Sequence, residues 1–213
     1  MQILFDESDF WKKDQDFTSD YKKTITDAYK ACKKLLPQIP EELTFFNQIA
    51  PWDCMPEYGQ GAYTKNSRLI IIASDSSLPY GKKRLLEYTK QAVFHELSHS
   101  ARYEQGLWHE TFIDSCIMEG LAVVMERERA QATPLYGQYD QGVVHSWIQE
   151  INKAGNDINH HSYMFKHPDG RRWIGYKVGT YLIDEAMKRT GKKIEELTGL
   201  QCSEIIMLSG IKI

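Results

Sequence analysis

Apolar positions follow helical spacing in several stretches and form short strand-like runs between residues 43 and 73. Within residues 17–36, Tyr21, Ile25, Ala28, Cys32 and Leu35 recur at helical spacing. This predicts an amphipathic helix that Pro37 stops. Leu43-Thr44-Phe45-Phe46 reads as a short strand. After a turn-rich loop over 51–61, Ala62-Tyr63-Thr64 and residues 68–73, separated by Lys65-Asn66-Ser67, read as a hairpin. A long helix is predicted over about 83–103, ended by Gly106, and a second over about 111–129, closed by Thr133-Pro134. Further helices are predicted over 143–152 and 175–189, with a short one from about Lys193 after Gly191 breaks the run. Strands gather early and helices late, which points to an α+β fold with a small N-terminal antiparallel sheet and a mainly helical core. No internal repeat or low-complexity tract interrupts the chain. The expectation is one domain over 1–213, with an α/β lobe to about residue 104 and a helical lobe from about 105.

Composition narrows the setting. The formal charge of −3 gives no basic excess to attract nucleic acid or an anionic membrane. The longest apolar run, Leu69-Ile70-Ile71-Ile72-Ala73, suits a buried strand and is far shorter than the roughly 20 residues that span a bilayer. The start, Met1 to Asp9, lacks the basic and apolar regions of a secretory signal. Cys32, Cys54, Cys116 and Cys202 are scattered with no C-x-x-C pair, a pattern of free thiols in a reducing compartment. A cytoplasmic protein is expected.

The chemistry concentrates in His95-Glu96-Leu97-Ser98-His99. Helical positions four apart lie on one face, so both imidazoles can reach one ion. Glu96 follows the first histidine and can accept a proton from a water activated by that ion. The helix has an apolar stripe of its own in Leu86, Val93, Leu97 and Ala101, joined by Phe94, so the histidines are not needed to bury it. A catalytic zinc needs a third protein ligand and an open position. A His-x-x-Gly-x-x-His continuation is absent, because Arg102 and Gln105 stand at those places. Glu119, 20 residues after His99, falls in a mostly apolar stretch of the following helix, with Ile113, Ile117, Leu121 and Val124 as its core face. A lone carboxylate there would cost several kcal/mol, and a cation partner removes that cost. Gly120 costs about 1 kcal/mol against alanine in a helix, which close approach of the two motif-bearing helices would justify. Glu110, Asp114 and His109 are the alternatives for the third ligand.

His95-Glu96-Leu97-Ser98-His99 followed by Glu119-Gly120-Leu121-Ala122 resembles the glutamate-ligand zinc peptidases, the thermolysin-like or gluzincin clan. More narrowly it is similar to a family of predicted zinc-dependent proteases designated a domain of unknown function. The stretch Trp173 to Tyr181 resembles the Gly-Tyr-x-x-Gly-Tyr pattern of that family's C-terminal helix. The resemblance covers about residues 85–205. It implies a zincin-like fold, one zinc ion held by His95, His99 and Glu119, Glu96 as general base, and a peptide or protein as substrate. One departure stands out: where thermolysin has an aspartate four positions after its glutamate ligand, this chain has Val123.

For the donor that stabilises the oxyanion, the resemblance and phenol chemistry favour Tyr176, then Tyr181, with His145 and His161 behind them. His160 and His161 form a possible surface metal pair, His167 is expected in an exposed turn, and Cys116 as a small buried residue. By analogy with the clan, the strand over 68–73 would be the sheet edge that pairs with extended substrates. The alternatives to a peptidase are a catalytically silent zinc- or partner-binding module, or a zinc hydrolase of a non-peptide amide or ester.

Overall fold

A computed structural model describes residues 1–213, the side chain of Asn156 excepted. The chain is α+β and divides into two compact units, Met1–Gly106 and Leu107–Ile213.

In the first unit, β1 (Gln2–Phe5) leads through α1 (Asp9–Lys13) into α2 (Gln15–Leu35) and β2 (Thr44–Ile49). The hairpin β3 (Gln60–Asn66) and β4 (Leu69–Ser74) follows, then α3 (Gly81–Glu104). Asp14 starts α2 by accepting from the Phe17 N–H. Tyr21, Ile25, Ala28 and Cys32 are its buried stripe, as their spacing predicts. The sheet order is β1-β2-β4-β3. It is mixed rather than antiparallel: β1 with β2 and β2 with β4 run parallel, and only β3 with β4 is antiparallel. The cause is the helical crossover through α1 and α2, which returns the chain to the end of the sheet where β1 began, so β2 can only run alongside it. The expected edge strand over 68–73 is therefore interior, and the edges are β1 and β3. Phe45, Ile70 and Ile72 are fully or almost fully buried, as befits central strands.

Against this sheet lies α3, which contacts β3 and α2. Its buried face differs in detail from the expected stripe. Leu85 and Thr89 are buried while Leu86 is half-buried, and every residue from Val93 to Arg102 is buried. Two hydroxyls link α3 to the hairpin: Ser100 Oγ donates to the Ser67 carbonyl at 2.6 Å, and Thr64 reaches Glu96.

The second unit is helical: α4 (Phe112–Ala130), α5 (Gln141–Ala154), α6 (His160–Met164), α7 (Ile174–Thr190), α8 (Ile194–Thr198) and α9 (Cys202–Ser209). Thr111 and Asp114 close a reciprocal capping box on α4. The axis of the unit is the contact of α4 with α7. A Cβ built on Gly120 would lie 2.2 Å from the Gly179 carbonyl carbon, and one on Gly179 would lie 1.7 Å from the Cys116 carbonyl oxygen. Gly120 is thus explained by backbone contact with α7, and the approach of the two motif-bearing helices is not needed to account for it. Short elements with little periodic pattern of their own, β1, α1, α6 and α9, lie outside the sequence prediction. Among the described residues no helix is long and apolar enough to cross a membrane, and no cysteine forms a disulfide.

Candidate metal centre

The helical repeat of α3 brings the His95 and His99 rings together, with centroids 4.9 Å apart and planes at 72°. Both are buried, at 8% and 7% exposure. Glu96 is 4% exposed, and its Oε2 lies 2.7 Å from Thr64 Oγ1 on β3. The same hydroxyl lies 2.9 Å from the Glu96 carbonyl oxygen. A hydroxyl carries one proton, and a charged carboxylate is the stronger acceptor, so the hydrogen bond to Oε2 prevails. Glycines in the left-handed region mark both ends of the helix: Gly81 at φ 77° opens it and Gly106 at φ 70° follows it.

Glu119 sits two turns into α4 and is half-buried. His95, His99 and Glu119 form a group that can hold a metal ion, one ligand atom from each lying within 4.8 Å of the others. Two nitrogens and one carboxylate oxygen are the donor types of a catalytic zinc. The chemistry of this donor set fits such an ion. Among the described residues no other His, Cys, Asp and Glu side chains form a comparable group.

The alternatives for the third ligand have other employment or surroundings. Asp114 accepts from the backbone N–H of Thr111 at 2.9 Å and of Glu110 at 3.2 Å. His109 and Glu110 are exposed. Cys116 is fully buried, and burial, reinforced by Glu119, pushes its thiol well above the ordinary range, so it stays protonated. Val123 is buried against Gly137, an apolar contact where the resemblance would put a carboxylate.

On α7, Tyr176 is half-buried, its ring 5.4 Å from that of Tyr136 and 6.4 Å from that of Phe165. Tyr181 and His145 share a hydrogen bond of 3.1 Å between Oη and Nε2, and burial raises the Tyr181 phenol. His161 is exposed beside Phe165. His160 packs edge-on against Phe112, and burial, then the charge of His109, lowers its pKa. His167 heads the expected turn, its carbonyl accepting from the Gly170 N–H at 2.9 Å, but it is not exposed. It is half-buried, 2.8 Å from Asp169 and 3.3 Å from Arg171, in a hairpin closed by the Lys166–Arg172 bridge.

Two residues beside these sites escaped the sequence reading. Glu126, fully buried, takes the Tyr136 hydroxyl at 2.8 Å from both carboxylate oxygens. The signal was present, since Glu126 is also a carboxylate in an apolar helical stretch, two turns after Glu119. Thr64 carried no signal, because its contact with Glu96 spans 32 positions.

A buried HExxH pair on a helix beside an edge strand, in a group of side chains that could hold a metal ion, marks a candidate metal centre. The chain belongs to the family described as predicted Zn-dependent protease (DUF2268), whose model matches residues 23–207. Neither the curated proteins nor the solved structures give a match.

Proposed function

We propose that the chain is a zinc-dependent peptidase in which His95, His99 and Glu119 hold one zinc ion and Glu96 is the general base. The observation that carries this reading is Glu96 itself. A buried carboxylate, tethered through one oxygen and adjacent in sequence to a ligand-capable imidazole, is arranged for proton transfer. The family description supports the same chemistry.

Zinc bound there supplies Lewis acidity toward the scissile carbonyl and lowers the pKa of water toward about 7. Glu96 takes the proton of the attacking water as its oxygen bonds to the carbonyl carbon, then delivers that proton to the amine nitrogen as the C–N bond breaks. In this reading the Tyr176 phenol donates to the developing oxyanion. The substrate is a peptide or protein in extended form, with neither nucleic acid nor membrane as partner. Of the two edge strands, β1 and β3, the one that carries Thr64 beside Glu96 is β3, and it is the strand proposed to pair with the substrate backbone. The reading sets the protein in the cytoplasm, where its four thiols stay reduced.

The test is digestion of a broad peptide library by the parent and by Glu96→Gln and Tyr176→Phe, with zinc content measured for each. Glu96→Gln keeps its zinc and loses turnover by about 10²–10⁴-fold. Tyr176→Phe lowers kcat and leaves KM. A Glu96→Gln protein that cleaves as fast as the parent, or a parent that takes up no zinc, overturns the reading.

A further inference from the structure

We propose that Thr64 is a positioning residue: its hydroxyl fixes the Glu96 carboxylate so that Oε2 is committed and Oε1 is the oxygen that handles the proton. The inference rests on the reading of Glu96 as the base, and it assigns a role to the edge strand beyond backbone pairing.

The geometry gives the hydroxyl one dominant task. It lies 2.7 Å from Oε2, within the range of a charge-assisted O–H···O bond, while its alternative acceptor is a backbone carbonyl at 2.9 Å. That carbonyl belongs to a helix interior, where the backbone ladder already supplies a donor. A glutamate side chain retains several rotatable bonds, and holding it in one rotamer costs up to about 2 kcal/mol of conformational freedom. A tether that meets this cost during folding leaves the base oriented before substrate arrives, which is the condition for efficient proton transfer. Docking α3 on the hairpin does not require Thr64, because Ser100 bonds the Ser67 carbonyl independently. Thr64→Val therefore leaves a side-chain tie between α3 and the hairpin in place.

This sets the experiment. Thr64→Val removes the donor and keeps the shape, whereas Thr64→Ser keeps the donor. With zinc content matched, kcat of Thr64→Val falls about tenfold or more while KM stays within about twofold, and Thr64→Ser returns kcat to near the parent value. A second arm uses metal-free protein and no substrate. Melting temperatures are measured for Thr64→Val, Glu96→Ala and the double variant. If the hydroxyl acts through the carboxylate, adding Thr64→Val to Glu96→Ala produces no further drop in Tm. Equal impairment by Val and Ser, an unchanged kcat in Thr64→Val, or additive Tm losses each overturn the proposal. A parent that cleaves no peptide while the Tm effects are non-additive sinks the peptidase reading and leaves the Thr64–Glu96 link standing.

Discussion

Replacing Gly179 by alanine tests the helix contact that holds Glu119 in place. In a free helix the change stabilises by about 1 kcal/mol, because alanine loses less backbone freedom than glycine. Here the new methyl group would lie 1.7 Å from the Cys116 carbonyl oxygen and 2.5 Å from its carbon. The shorter distance falls roughly 1.7 Å below ordinary van der Waals contact. Both neighbours are main-chain atoms of α4, so no side-chain rotation relieves the clash, and α4 and α7 must separate along their whole contact. Overpacking of this kind costs about 1–3 kcal/mol where side chains can yield, and the upper end applies to backbone. Net of the propensity gain, the expected loss is about 2 kcal/mol, or a fall in Tm of about 4–8 °C for a chain of this size. Differential scanning calorimetry with and without zinc measures it. Gly120→Ala meets the same contact from the other side, 2.2 Å from the Gly179 carbonyl carbon, so the double variant loses less than the sum of the singles. Both changes displace the helix that bears Glu119, and zinc affinity falls with stability. A Gly179→Ala protein that melts at or above the parent temperature would show that the two helices do not touch, and the explanation of Gly120 would fail with it.

Two further outcomes follow from the same geometry. On the proposed zinc ligation, Glu119→Gln lowers the zinc retained after dialysis against a chelator well below that of the parent and shrinks the Tm increase produced by adding zinc; unchanged retention would remove Glu119 from the site. Glu150 is held below the usual carboxylate range, first by the Arg171 guanidinium, so its contribution to stability is full above about pH 4.5 and is lost as pH falls through its lowered folded-state value. The drop in urea midpoint between pH 7 and pH 3 is therefore smaller for Glu150→Gln than for the parent, and an equal drop would refute the coupling.

The parts of this protein legible in the sequence are those governed by local periodicity. The long helices α2, α3, α4 and α7 each repeat apolar residues over several turns, and the i, i+4 spacing alone puts His95 beside His99. Glu119 was picked out for an energetic reason, as a carboxylate among Ile117, Leu121 and Val124, and it falls in the group that could hold a metal ion. Short elements such as β1 and α1 carry too few residues for a period to show, and the direction of β1 against β2 depends on a crossover of two helices that no strand pattern encodes. Tertiary structure alone decided that β4 is interior and β3 an edge strand, that Gly120 serves α7, and that Tyr181 and His145 hydrogen-bond each other. It also brought Thr64 to Glu96, through a contact between positions whose separation in sequence contains no repeating signal. Local chemistry is written in spacing along one helix, whereas partners from different elements are chosen by packing, which only the folded chain resolves.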